Sequence, residues 1–202
     1  MEEPSQLSGE YREGPDRDVE ALPWVHDPDG ILVIGVDPGA RNTGVVVTDG
    51  EIPILSSTLV RKDEETPFDY ALRVAHIVND VIDDYEVGVA GVEKVTMPTG
   101  FSRGGVRGAS PINPGSLVMT GVVVGTVIRM LSEHDLDVVM VHPRGNGSRN
   151  LTQYHPSLKG RRPKWLAGSS QGAGRGHEQS AYDIALKAMS THRSESQGGG
   201  QK

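Results

Sequence analysis

Cysteine is absent from the 202 residues, which removes disulfides, thiolate nucleophiles and cysteine-based zinc sites together. Aromatic residues are scarce at 4%, and apolar residues reach only 36%. No uninterrupted apolar run approaches the roughly 18 residues that cross a bilayer. Met1 to Gly30 has no apolar core of the kind a secretion signal carries. These absences point to a soluble protein of a reducing, cytoplasmic compartment with no membrane partner. What is plentiful is punctuation: 26 glycines and 13 prolines, in a length that suits one compact domain with tails.

The net charge of −7 is unevenly spread. Nine acids stand against Arg12 and Arg17 in residues 1–30, so that segment accounts for −7 and the remainder is neutral. Residues 1–30 also lack periodicity and are rich in Pro and Gly, the signature of a disordered acidic arm. Within the body the charges separate again. Lys94 to Ser132 holds Lys94, Arg103, Arg107 and Arg129 without an acid, and Arg144 to Gly176 holds seven bases without one. Acid-free basic stretches of that length predict contact with a polyanion.

Strand and helix signals alternate along residues 31–193. Ile31–Val36 is a β-branched run closed by Asp37-Pro38-Gly39, and Val45–Thr48 and Glu51–Arg61 flank the tight Asp49-Gly50 turn of a hairpin. Helical spacing covers 68–84, a buried strand covers Val87–Val92, and a Gly- and Pro-rich loop runs from Met97 to Gly115. Ser116–His134 reads as a helix despite its strand-like Val122-Val123-Val124. Val138–Val141 is a fifth strand, a long basic loop follows, and Glu178–His192 is the last helix. Ser194–Lys202, with three consecutive glycines, reads as a disordered tail. The order predicts an α/β domain of three layers with a mixed sheet led by a hairpin.

Asp37 and Glu93 end two of the strands, where open α/β sheets bind ligands. An acid closing a buried strand is costly unless it is paired or holds a cation. A third acid, Asp183, borders the apolar stripe Ala181, Ile184, Ala185, Ala188 and Met189 of the last helix, sharing a face with Ser180 and Lys187. Three carboxylates make a hard-oxygen site of the kind Mg²⁺ prefers. Each acid also has a plain alternative: a turn residue at Asp37, a solvated strand end at Glu93, a solvated helix face at Asp183.

The segment from Gly35 to Val45, reading Gly-Val-Asp-Pro-Gly-Ala-Arg-Asn-Thr-Gly-Val, resembles the first-strand signature of RuvC-type Holliday junction resolvases. These are ribonuclease H-like nucleases. Val89-Ala90-Gly91-Val92-Glu93 is similar to that family's fourth strand, and Ser180-Ala181-Tyr182-Asp183-Ile184-Ala185-Leu186 to its catalytic helix. The resemblance implies a ribonuclease H-like fold with a five-stranded sheet and helices on both faces. It also implies Asp37, Glu93 and Asp183 as catalytic metal ligands for two Mg²⁺ ions, with Mn²⁺ as substitute, and no nucleotide cofactor. Bacterial members carry Asp or His where Ser180 stands, so His177 is an additional ligand candidate. On a continuous helix it lies about 120° round from Asp183, and it joins the site if the helix begins after it.

The activity implied is hydrolysis of branched DNA by a homodimer, leaving 5′-phosphate and 3′-hydroxyl ends. The short, cysteine-free core with its acidic arm looks like the phage-encoded branch. Arg103, Arg107, Arg144, Arg149, Lys159, Arg161, Arg162 and Lys164 are the expected DNA contacts. Phe101 is a candidate wedge, and Tyr154 and Trp165 interleave aromatics with the bases. Gly121 and Gly125 offer the second helix a close-packing face. Two alternatives remain: a junction-binding protein without catalysis, and an actin-like or sugar-kinase-like phosphotransfer domain, for which this chain is too short to supply a second nucleotide-binding half.

Overall fold

In the computed structural model, residues 30–96, 114–160 and 175–198 are described. The acidic arm, Phe101, Arg103, Arg107, Arg161, Arg162, Lys164 and Trp165 lie outside the described residues. The elements are β1 (Val33–Asp37), β2 (Asn42–Thr48), β3 (Pro53–Val60), α1 (Pro67–Tyr85), β4 (Val89–Glu93), α2 (Pro114–Leu131), β5 (Asp137–Val141) and α3 (Gly176–Gly198). Two short 3₁₀ turns, Leu151–Gln153 and Pro156–Leu158, lie in the expected basic loop.

The sheet runs in the order β3-β2-β1-β4-β5. β1, β2 and β3 form an antiparallel meander, while β4 pairs parallel with both β1 and β5. Side chains alternate between faces along a strand, and the apolar residues obey that rule. Ile34, Val36, Val45, Val47, Ala90 and Val92 pack with α1 and α2 on one face. Val33, Val89 and Val141 pack with Ile184, Ala185, Ala188 and Met189 of α3 on the other. Helices therefore cover both faces, as expected. Val36 pairs with Val92, so Asp37 and Glu93 follow side by side with the parity of the α3 face.

α3 lies close against the sheet because the strands beneath it carry glycine. A Cβ at Gly35 would collide with the Ala181 carbonyl oxygen, and one at Gly44 with the His177 carbonyl oxygen. The helix thus crosses from β2 at its start to β4, where Ile184 and Ala188 sit over Gly91.

One expectation holds against local propensity, and two details depart from the sequence reading. The valines of α2 are helical because Val123, Val124, Val127 and Leu131 bury in the core shared with α1; tertiary packing outweighs local strand propensity. Over its 18 residues α2 has a mean hydropathy of 1.5, long and apolar enough to cross a membrane, which counting uninterrupted apolar residues misses because Gly, Ser, Thr and Arg interrupt the run. α3 continues past His192 to Gly198, since Arg193 to Gln197 contain no helix breaker, so residues 194–198 are helix rather than tail.

Candidate active site

The chain leaves β1 toward β2 and leaves β4 toward β5, so the crevice at their carboxyl ends opens between diverging connections. Asp37 and Glu93 stand there. Asp37 is 9% exposed, and its Oδ2 lies 2.8 Å from Nδ1 of His177. A carboxylate only accepts, so Nδ1 carries the proton and Nε2 is the nitrogen turned elsewhere. His177 belongs to the first turn of α3, yet it reaches Asp37. The diagonal path of α3 places the helix start beside the end of β1, a relation that helical angles alone do not contain.

Glu93 is half-buried, and its Oε2 accepts a 2.5 Å hydrogen bond from Asn146 Nδ2. Burial pushes its pKa up, and the nearby charge of Asp37 adds to that. The Asn146 hydrogen bond, Lys187 and His177 pull the other way. Lys187 Nζ donates to Asn146 Oδ1 and to the Arg144 carbonyl, so Asn146 is held at both ends of its amide.

Asp183 does not look out into the crevice; it is 1% exposed, beneath the loop that follows β5. Its Oδ2 accepts from Tyr154 Oη at 2.8 Å and from the Gly147 backbone N–H at 3.0 Å. Its Oδ1 lies 2.8 Å from Arg149 Nε but receives no hydrogen bond from the described residues, so that contact is an ion pair without an aligned N–H. Burial and the Asp183 carboxylate push the Tyr154 phenol up to about 12. Consecutive residues, Asn146 and Gly147, therefore touch Glu93 and Asp183. Gly147 has a φ of +68°, and a Cβ there would press on Ser180, so the turn needs glycine.

Of the expected DNA contacts that are described, Arg144 is exposed, Arg149 pairs with Asp183, and Lys159 donates to the Thr152 carbonyl at 3.3 Å. Tyr154 is buried against Tyr182 and Leu158 rather than open to a nucleic acid. Asn146, Gly147, and the grip of Tyr154 and Arg149 on Asp183 were not anticipated. The run Gly145-Asn146-Gly147 is a turn signal that marks the loop, and nothing in it names Glu93 as a partner. Beside Glu93, a cleft of about 180 Å³ is lined by Pro38, Lys94, Leu117, Thr120 and Pro143 among others.

The donors suit a hard divalent cation in kind: two neighbouring carboxylates, an imidazole, and a buried carboxylate oxygen without a hydrogen bond. They are not closed around one. Among the described residues, no group of three or more His, Asp or Glu is gathered tightly enough to hold a metal ion. Asp37 and Glu93 form the nucleus, and Asp183 is joined to it through Asn146 and Gly147.

A mixed sheet of this order, with two helices on one face and a helix beneath the strand-end acids on the other, is the ribonuclease H-like α/β fold. Two structures of RuvC are among the solved structures that share it. Thermus thermophilus RuvC in complex with a Holliday junction substrate has a TM-score of 0.57 at 15% identity, covering 81% of this chain and 96% of that one. Another structure of Thermus thermophilus RuvC has a TM-score of 0.54 at 16% identity, covering 82% and 97%. No family model matches the sequence, and no curated protein matches it.

Proposed function

We propose that this protein is a RuvC-type, metal-dependent endonuclease that resolves Holliday junctions and other branched DNA in recombination and repair. The observation that carries the reading is the placement of Asp37 and Glu93. They end adjacent parallel strands, side by side, under α3, within a fold shared with RuvC. Asp37, Glu93 and Asp183 would hold two Mg²⁺ ions or Mn²⁺ in their place, with His177 Nε2 available beside Asp37. Divalent ions at such a site supply an activated water and charge neutralisation at the leaving 3′ oxygen, giving 5′-phosphate and 3′-hydroxyl ends. Exposed Arg144, with Arg161, Arg162 and Lys164, would supply phosphate contacts whose strength falls with salt. The short core and acidic arm favour the phage-encoded branch, acting in the host cytoplasm.

A four-way junction has two-fold symmetry, and a homodimer matches it. The outer face of α2 suits that role: Val118 is 65% exposed, and among the described residues nothing outside the helix lies within 4 Å of a Cβ built on Gly121 or Gly125. A second reading, a junction-binding protein without catalysis, draws on the ion pair that Arg149 makes with Asp183.

A labelled four-way junction and a linear duplex, each incubated with Mg²⁺ or with chelator, separate the two. Symmetric, ligatable, metal-dependent nicks in the junction alone are expected. Tight junction binding without nicks would favour the binder. Asp37→Asn is expected to abolish cleavage while keeping junction affinity, because it removes a charge that repels phosphate.

A further inference from the structure

We infer that Tyr154 is a positioning residue that reserves one oxygen of Asp183 for a divalent cation, and that Arg149 is an exchangeable counter-ion which that cation must displace. The inference rests on the metal-dependent reading above.

The two oxygens of Asp183 are not equivalent. Oδ2 is saturated by the Tyr154 hydroxyl and the Gly147 N–H. Oδ1 is equally buried and receives no hydrogen bond from the described residues. A buried carboxylate oxygen in a well-packed site normally finds a donor. Here its neighbour is a guanidinium nitrogen at 2.8 Å whose N–H points elsewhere. Oδ1 therefore sees positive charge without a directional bond, the relation a carboxylate has with a metal ion.

The two side chains that meet the Asp183 carboxylate, Tyr154 and Arg149, differ in how firmly the fold holds them. Tyr154 is 2% exposed, in a cluster with Val46, Leu158 and Ala181, and its ring meets Tyr182 edge-on at 6.4 Å between centroids. It stays with the core. The Arg149 side chain is 36% exposed and comes from the surface loop after β5. It is free to leave. A buried hydroxyl that donates to the outer oxygen of a ligating acid orients that acid and raises metal affinity. A guanidinium beside the inner oxygen acts oppositely, because two cations cannot share that oxygen without repelling. Once displaced, Arg149 is freed toward the DNA phosphates, so metal and DNA binding reinforce each other.

The experiment is Mn²⁺ binding to the full chain without DNA, followed by electron paramagnetic resonance and by calorimetry. Tyr154→Phe is expected to weaken Mn²⁺ about 10-fold, and Arg149→Gln to tighten it several-fold, with Asp183→Asn weakening it as the control. Tyr154 in a purely structural role would leave Mn²⁺ affinity unmoved in a folded Tyr154→Phe protein, and that result overturns the positioning role. Unchanged or weaker binding in Arg149→Gln overturns the counter-ion role. Arg149 is partly exposed, so that variant carries the test even if Tyr154→Phe fails to fold. A wild-type chain that binds no Mn²⁺ overturns the metal-dependent reading itself, an outcome distinct from either.

Discussion

Glu93 ends a buried strand with a carboxylate whose ionisation is opposed first by burial and then by Asp37, and helped by Asn146, Lys187 and His177. Its pKa in the folded chain lies above the ordinary 4.5, so the folded state holds a proton there more tightly than the unfolded state. The stability this contributes is complete below 4.5 and is lost as pH rises through the folded value. Urea unfolding with chelator is therefore expected to show stability falling across that window, and Glu93→Gln to flatten the fall. The proposed cleavage needs the ionised form, so a proton on Glu93 competes with the divalent cation and the pH–rate profile is expected to show an acid limb. Asn146→Ala removes the largest of the interactions that pull Glu93 down, and moves the limb to higher pH. A pH–rate profile of the variant that superimposes on the wild type would contradict this.

At the scale of elements, α3 and β1 are matched by an absence of side chain. Gly35 lets the Ala181 carbonyl approach the sheet, and that approach sets where His177 and Asp183 fall relative to Asp37. Gly35→Ala drives a Cβ into the Ala181 carbonyl of α3, and overpacking of this kind costs about 1–3 kcal/mol. The urea midpoint should drop accordingly. Junction cleavage should fall further than stability alone explains, because a shifted α3 moves two site residues together. The loop after β5 is a second unit of this kind. Its two 3₁₀ turns are capped by Asn150 and His155, whose side chains accept from Thr152 N–H and Ser157 N–H, and this local order presents Tyr154 to Asp183.

For the whole molecule, the proposed dimer depends on a helix that satisfies two surfaces at once. One stripe of α2 is buried with α1, while Val118, Gly121 and Gly125 form an apolar face with none of the described residues over the glycines. Val118→Glu places a charge on that face at an exposed position, where folding cost is typically within about 0.5 kcal/mol. Sedimentation velocity should show the dimer dissociating, and junctions should be nicked on one strand only. A wild-type chain that stays monomeric at every concentration tested would remove the dimer and leave the monomer's site intact.

The order of elements and the positions of Asp37 and Glu93 were legible in the sequence, because period-two burial and turn residues are local properties. Once Val36 and Val92 are both core residues of paired strands, the acids that follow them must be neighbours. The surroundings of Asp183 were not legible. Tyr154 lies 29 residues away in sequence, Asn146 meets Glu93 across 53, and His177 meets Asp37 across 140. No spacing rule spans such separations. They arise because glycines in β1, β2 and β4 let α3 cross the sheet diagonally and because the loop after β5 folds back beneath it. Chain-local chemistry chose which acids stand at the strand ends; packing of helix and loop on the sheet chose what touches them.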